Sequence, residues 1–164
     1  MPKKDKARTK GKVDKQTRKI IEELIVSYWM EMETVLSYIC NSVNLDGVRA
    51  EEIKKSLQVD IQAELGHATQ LARRINVLGG VVPGSMDFRA MQKSLQPRAD
   101  TTDVAAVIRG VIEAENGAIA QYRKIIKLCD GFDYATQDLC ITLLENEEAH
   151  RREFIGFLTE YEKK

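Results

Sequence analysis

Two short segments, Glu64-Leu-Gly-His67 and Glu147-Glu-Ala-His150, give the first indication of how this chain folds. The chain has only two histidines, and each follows a glutamate by three positions. Residues three apart lie on one face of a helix. Glutamate is common in this chain, yet both histidines would follow one in this way by chance in only about one case in a hundred. Each segment therefore predicts a helix that presents a carboxylate and an imidazole on the same side.

The same residue types recur at a fixed separation along the chain. Glu31 and Tyr38 precede the first segment, and Glu115 and Tyr122 precede the second at an offset of 84 residues, while the two segments themselves are 83 residues apart. Such matched spacing is typical of a duplicated pair of helices. Two hairpins related by an approximate twofold axis would bring six side chains to one point: Glu31, Glu64, His67, Glu115, Glu147 and His150.

Four long segments repeat their apolar residues every three or four positions, which is the period of an α-helix. We predict helices over about residues 14–44, 49–78, 102–129 and 133–161, with a possible short helix at 86–95 inside the connection of residues 80–102. Aromatic residues make up only 6% of the chain, and alternating β-branched runs are missing, which excludes a sandwich or barrel. Two tight turns and one long middle connection predict an all-α antiparallel four-helix bundle with a crossover between the second and third helices.

The formal net charge of zero conceals two oppositely charged regions. Residues 1–19 hold nine basic and two acidic residues, a net charge of +7, so residues 20–164 carry −7. We predict a basic tail over 1–19 and the bundle over 20–164. The tail could remain solvated, lie along the acidic body or a neighbouring subunit, or contact nucleic-acid phosphates nonspecifically. The residues available for phosphate contact are Lys3, Lys4, Lys6, Arg8, Lys10 and Lys12.

The four predicted core carboxylates need a charge partner, because ionised carboxylates repel one another in a low-dielectric seam. Two divalent cations supply +4 against −4. Oxygen ligands with one imidazole per ion suit iron, with manganese or zinc as substitutes, rather than a thiolate zinc site. The three cysteines form no CxxC motif and indicate no disulfide framework.

Other glutamates near these positions are excluded by helix geometry. Residues two apart on a helix lie about 200° apart around its axis, so Glu33 and Glu113 cannot share a face with their neighbouring candidates. Glu145 and Glu148 lack the three-residue spacing to a histidine. We expect these glutamates to be solvated or to form surface ion pairs.

The spaced ligands and the two tyrosines resemble the ferritin-like di-iron carboxylate proteins, among them bacterioferritins and Dps-like mini-ferritins, over about residues 20–155. The resemblance implies a ferritin-like bundle with a catalytic di-iron centre, in which Glu64 and Glu147 bridge two iron ions. It gives each iron one further glutamate and one histidine: Glu31, Glu115, His67 and His150. Tyr38 and Tyr122 match positions beside the site, where a phenol hydrogen-bonds a ligand or donates an electron; core aromatics with a satisfied hydroxyl are the alternative.

Departures from the family pattern set further expectations. Bacterioferritins carry a haem-binding methionine where this chain has Leu65, so we expect no haem. Only 14 residues follow the second histidine, too few for the fifth helix of 24-subunit ferritins, which favours a homo-oligomeric shell of twelve. Bacterioferritins have an aspartate just before the glutamate of each Glu-x-x-His segment, where this chain has Ala63 and Asn146. We therefore expect the polar groups that support the ligands to differ between the two irons. Cys129 and Cys140 could face each other, as a cysteine pair does in some Dps-like relatives, or remain buried free thiols.

The resemblance implies a ferroxidase that oxidises Fe(II) with H2O2 or O2 for iron storage and protection from oxidative stress. Two alternatives stay open: a rubrerythrin-like di-iron peroxidase or oxidoreductase without mineral storage, and a DNA-binding nucleoid protein acting through its basic tail. No run approaches the roughly eighteen apolar residues of a membrane span, and the first residues lack a signal-peptide core. We therefore expect a cytoplasmic protein with no membrane partner.

Overall fold

A computed structural model describes residues 13–162. Within this range the chain forms four long helices and no β-strand, which confirms the predicted four-helix bundle. Each helix begins one or two residues later than the sequence pattern predicts. The basic residues proposed for phosphate contact, Lys3 to Lys12, lie outside the described range. The helices are α1 (Lys15–Asn44), α2 (Glu51–Val77), α3 (Val104–Cys129) and α4 (Tyr134–Glu162), with single 3-10 turns at Val48–Ala50 and Ser85–Asp87.

Aspartate caps fix the starts of three helices. The carboxylates of Asp14, Asp103 and Asp133 accept hydrogen bonds from backbone N–H groups in the first turns of α1, α3 and α4. These N–H groups have no partner inside the helix, and an anion there also interacts favourably with the helix dipole. After α2, Gly79 has a φ of +83°, a left-handed conformation that glycine adopts without steric cost. Local sequence signals therefore set where the helices start and stop.

The helices pair as two hairpins, α1 with α2 and α3 with α4, and α1 also packs on α3. Two apolar cores fill the two ends of the bundle, one around Leu24, Leu71 and Ile125, the other around Leu57 and Ile108. Each helix contributes residues to both cores. The middle of every helix is left for the polar side chains described below. Among residues 13–162, no helix is long and apolar enough to cross a bilayer.

The crossover between α2 and α3 differs from the prediction. Only the turn Ser85–Asp87 is helical, so the short helix expected at 86–95 is wrong. The backbone N–H groups of Met91 and Gln92 donate instead to the Glu33 carboxylate, at 2.8 and 2.7 Å. These bonds replace the ones that a helix would have made to carbonyls four residues earlier. Glu33 is consequently 4% exposed, and the expectation that it is solvated is also wrong.

The crossover also passes very close to α3. A Cβ atom added to Gly110 would lie 2.6 Å from the carbonyl oxygen of Ser94. Leu95, the next residue, is buried in the apolar core. Its carbonyl accepts a hydrogen bond from the Asn41 side chain on α1, at 2.9 Å. The long connection is thus fastened to both α1 and α3.

Candidate metal centre

Four buried glutamates and two histidines meet at mid-height of the bundle, between the two apolar cores. Each of the four glutamates is at most 2% exposed, and His67 is 3% exposed. His150 is half-buried. Burying four carboxylates in a helical seam costs free energy unless they are paired with opposite charge. The structure brings together all six residues that the spacing singled out: Glu31, Glu64, His67, Glu115, Glu147 and His150.

The ligand atoms fall into two overlapping groups, in each of which they lie within 4.8 Å of one another. One group joins the three residues of the α1–α2 hairpin to Glu147. The other joins the three residues of the α3–α4 hairpin to Glu64. Glu64 and Glu147 therefore belong to both groups. Each group takes three side chains from its own hairpin and one from the other.

Several atoms in the centre converge without bonding to one another. His67 Nδ1 lies 2.9 Å from Glu147 Oε1 and 3.6 Å from Glu64 Oε2. Despite these ion-pair distances, the geometry at His67 Nδ1 and at both Glu147 oxygens does not meet that of a hydrogen bond. Buried polar atoms are almost always hydrogen-bonded, so unsatisfied atoms that face a common point fit a bound cation. Carboxylate oxygens with one imidazole per group suit iron or manganese.

The surroundings shift the pKa values of the four glutamates in two opposite directions. Burial, followed by repulsion from neighbouring carboxylates, raises the pKa of Glu31 and of Glu115 well above the usual range. Burial opposes ionisation of Glu64 as well, but polar contacts with Glu31 and the histidines lower its pKa. The pKa of Glu147 is likewise lowered, against burial, by its contacts with the two histidines.

The two histidines balance these charges. Burial works against an imidazolium, yet contacts with the surrounding glutamates raise the pKa of His67 to about 12 and that of His150 to about 10. At neutral pH both rings are therefore charged when no metal is bound. The two imidazolium groups favour ionised Glu64 and Glu147, while the raised pKa values of Glu31 and Glu115 favour the protonated forms of those two carboxyls. A metal ion that binds here has to displace those protons.

Two tyrosines reach across the bundle to Glu31 and Glu115, the two glutamates that each belong to a single ligand group. The hydroxyl of Tyr38 donates to Glu115 Oε1 at 2.5 Å, and that of Tyr122 donates to Glu31 Oε1. Both rings are at most 1% exposed. Burial and the nearby carboxylates raise the pKa of both phenols well above the usual value, so they remain neutral donors. Each phenol comes from one hairpin and holds a carboxylate of the other.

The outer ring nitrogens of the histidines have different neighbours. His67 Nε2 lies 3.3 Å from the side-chain nitrogen of Asn146. His150 Nε2 lies 4.0 Å from Asp60 Oδ1. Burial raises the pKa of Asp60 to about 6. Sequence reasoning missed Asp60, although its position four residues before Glu64 on α2 places it on the same helix face.

The remaining candidates lie outside the centre. Glu113 and Glu145 are exposed, and Glu148 pairs with Arg123 at 2.6 Å. Cys129 and Cys140 are buried free thiols, and burial raises their pKa values to about 11 and about 12. Leu65, at the position that prompted the prediction of no haem, is 42% exposed and lines a groove between α1 and α2.

A sequence model of the ferritin-like domain family matches residues 11–163, and the chain therefore belongs to that family. It is 27% identical over 145 residues to the DNA protection during starvation protein of Pyrococcus furiosus, covering 86% of this chain and 77% of that one. It is 25% identical over 141 residues to the bacterioferritin of Desulfovibrio desulfuricans, covering 85% and 74%. The resemblance to this family inferred from the spaced residues is confirmed.

Solved structures show the same fold. A ferritin-like diiron-carboxylate protein from Bacillus anthracis matches with a TM-score of 0.78 at 21% identity, over 88% of this chain and 99% of that chain. A dodecameric thioferritin from Bacteroides fragilis, described as bacterioferritin-related, matches with a TM-score of 0.76 at 22% identity, over 92% and 89%. These likenesses confirm the ferritin-like helical bundle.

Proposed function

We propose that this protein is a ferroxidase of the Dps-like and bacterioferritin-like kind, which binds two Fe(II) ions per chain and oxidises them to Fe(III). The observation that carries the proposal is the pair of overlapping ligand groups that share Glu64 and Glu147. Two such groups hold two cations side by side. The names of two relatives, a DNA protection during starvation protein and a bacterioferritin, support a role in iron storage and protection from oxidative damage.

Iron is the substrate in this proposal and supplies the electrons. Two Fe(II) ions release two electrons, which with two protons reduce H2O2 to two water molecules, or O2 to H2O2. The chain supplies the binding groups and their alignment. Glu64 and Glu147 serve both ions, while the tyrosines hold Glu115 and Glu31 in place through hydrogen bonds. When the metal leaves, Glu31, Glu115 and the two imidazoles can bind protons again.

Storage requires an enclosed space, so we also propose that the chain forms a homo-oligomeric shell, with twelve subunits favoured. The Bacteroides fragilis structure is described as a dodecamer. The surface of α1 supports assembly, because Leu36, Ile39 and Val43 are 46 to 70% exposed on one stretch of helix. Apolar surface gathered in this way is typical of subunit contacts. The mass in solution, measured by light scattering, tests the subunit number.

An anaerobic Fe(II) titration tests the ferroxidase proposal. We expect saturation at two Fe(II) per chain, followed by oxidation when H2O2 or O2 is admitted, and further loading after repeated additions. Saturation far from two, or no oxidation by either oxidant, would contradict the proposal. Oxidation without loading beyond two irons per chain would instead favour a peroxidase that stores no mineral.

DNA contact by the basic segment is a second proposal, supported by its charge and by the name of the Pyrococcus furiosus relative. Because α1 begins at Lys15 with its cap at Asp14, a variant lacking residues 1–12 keeps the helix intact. A gel-shift assay should show binding by the full chain, loss of binding by the shortened chain, and steep weakening with salt. Equal binding by both chains would assign the contact to another surface.

A further inference from the structure

The two histidines of the centre are oriented in the same way. His67 Nδ1 lies 2.9 Å from Glu147 Oε1, and His150 Nδ1 lies 3.1 Å from Glu64 Oε1. Both rings therefore turn Nδ1 toward the shared glutamates and Nε2 away from them. A histidine that binds a metal through one ring nitrogen keeps its proton on the other, and the partner of that N–H orients the ring and adjusts its strength as a ligand. The neighbours of the two Nε2 atoms thus decide how alike the two ligand groups are.

The neighbour of His67 Nε2 is uncharged. The side-chain nitrogen of Asn146 lies 3.3 Å from this atom, and the oxygen and nitrogen of an amide exchange places when the amide group turns over. Asn146 therefore offers a neutral acceptor to an N–H at His67 Nε2. We call the two ligand groups the His67 position and the His150 position, after the histidine that each contains.

The neighbour of His150 Nε2 is a buried carboxylate. Asp60 Oδ1 lies 4.0 Å from this atom, the Asp60 side chain is 8% exposed, and Asp60 Oδ2 has no hydrogen-bond partner. The hydroxyl of Ser56, one turn earlier on α2, donates to Glu153 instead, at 2.9 Å. A buried carboxylate oxygen without a donor costs free energy. A movement of about 1 Å would bring the N–H of His150 within hydrogen-bond distance of Asp60.

An anionic acceptor strengthens a histidine ligand more than a neutral acceptor does. A carboxylate that accepts the N–H leaves more electron density on the ring nitrogen that binds the metal. Its negative charge also attracts the cation directly, because charges interact strongly in a buried seam. Both positions share Glu64 and Glu147, and each has one further glutamate and one histidine. The acceptors at Nε2 therefore distinguish two positions that are otherwise built alike.

We propose that Asp60 is a positioning residue for His150 and makes the two metal positions unequal. The His150 position binds its cation first and more tightly, and the His67 position, which has the neutral Asn146 as its acceptor, binds second. The inference rests on the proposed function, because it requires two cations in the centre. The matched ligands of the two hairpins thus fill in a fixed order, which residues outside the ligand set determine.

Anomalous diffraction at the cobalt edge tests the order of filling. The protein is loaded with one Co(II) per chain and crystallised, and the occupancies of the two positions are compared. The variants are Asp60→Asn and the exchanged double variant Asp60→Asn with Asn146→Asp. Glu145→Gln is the control, because it removes an exposed carboxylate from α4.

We expect the His150 position to be the more occupied by about tenfold in the original protein and in the control, since loss of such a partner typically lowers metal affinity about 10- to 100-fold. Asp60→Asn should bring the two occupancies close together. The exchanged variant should favour the His67 position. A merely structural effect of Asp60 would weaken binding without reversing the order.

A Co(II) titration followed by ligand-field absorption measures the same order in solution. We expect two separate binding steps in the original protein and in Glu145→Gln, and a first step that is about tenfold weaker in Asp60→Asn. Thermal melting followed by circular dichroism checks that each variant is folded. The comparison of the two positions in the original protein needs no variant, so it decides the matter even where a substitution prevents folding.

The outcomes separate this inference from the proposed function. Equal occupancy of both positions in the original protein, or the same preference in all four proteins, would overturn the inference and leave the binding of two ions intact. Absence of Co(II) from both positions would contradict the proposed function and the inference together.

Discussion

The hydroxyl of Tyr38 on α1 donates a 2.5 Å hydrogen bond to Glu115 on α3, a residue 77 positions later. The reciprocal bond runs from Tyr122 on α3 to Glu31 on α1. Each phenol thus restrains a carboxylate that its own hairpin does not supply. The two bonds couple the alignment of the centre to the docking of α1 on α3.

Replacing Tyr38 by phenylalanine should lower both stability and metal affinity. The Tyr38→Phe variant leaves the buried carboxyl of Glu115 without its donor, which costs about 1–2 kcal/mol in the free energy of unfolding. Urea denaturation of the metal-free protein measures this loss. Tyr134→Phe is the control, since Tyr134 is 69% exposed and its change should stay within about 0.5 kcal/mol. Equal stability of the two variants would show that the hydrogen bond contributes nothing.

The shared glutamates predict unequal effects on metal content. Glu147 belongs to both ligand groups, whereas Glu31 belongs to one. In an anaerobic Fe(II) titration, Glu147→Gln should therefore weaken the binding of both Fe(II) ions. Glu31→Gln should leave about one tightly bound iron per chain. Glu148→Gln changes the adjacent residue, which pairs with Arg123 outside the centre, and should leave binding unchanged. The same loss in Glu31→Gln as in Glu147→Gln would refute the assignment of separate groups.

Metal binding should release protons. The surroundings raise the pKa of Glu31 and of Glu115 well above the usual range and raise the pKa of His67 to about 12 and that of His150 to about 10, so the protein groups of the centre favour their protonated forms. Ligands bind as carboxylates and neutral imidazoles, so two divalent ions should displace protons from these groups. Affinity should accordingly rise with pH. A Zn(II) titration in weakly buffered solution with a pH indicator counts the protons, and a release near zero would contradict this protonation pattern.

Gly110 should tolerate no side chain. In Gly110→Ala the new Cβ meets the Ser94 carbonyl at 2.6 Å, and backbone must shift to relieve the overlap, at a cost of about 1–3 kcal/mol. Gly156→Ala is the matched control on α4, because its Cβ would lie 3.5 Å from the flexible Arg152 side chain. That change should stabilise the helix by about 0.5–1 kcal/mol. Thermal denaturation compares the two variants, and a stable Gly110→Ala would mean that the crossover is not held against α3.

Local patterns were sufficient to predict the four helices, whereas the residues that meet in the centre could be predicted only with the repeat along the chain. Helix period and aspartate caps act over a few residues, and the repeat offsets of 83 and 84 supplied the long-range relation that local patterns lack. The convergence of Glu31 with Glu147 follows from that repeat alone, because nothing near either residue indicates the other.

The parts that the sequence did not predict depend on contacts between distant segments. Glu33 and Glu31 lie on different faces of α1, which predicts that Glu33 is outside the centre. Their positions on the helix do not indicate that the crossover covers Glu33 and donates hydrogen bonds to it. For the same reason the helix expected at 86–95 was wrong. Asp60 belongs to no repeated motif, since the equivalent position in the second half is Leu143. Only the packing of α2 against α4 places Asp60 beside His150.

Each ligand group includes one glutamate from the opposite hairpin, so neither half of the chain contains a complete site. A bound pair of cations is therefore a reversible cross-link between residues that the chain itself joins only through the long crossover. Chains cleaved in that crossover would stay associated while metal is bound and separate more readily once a chelator removes it. Loading also stabilises the docked state by an amount that grows with metal concentration. In the proposed function, the cations therefore bind only a chain whose two hairpins have docked.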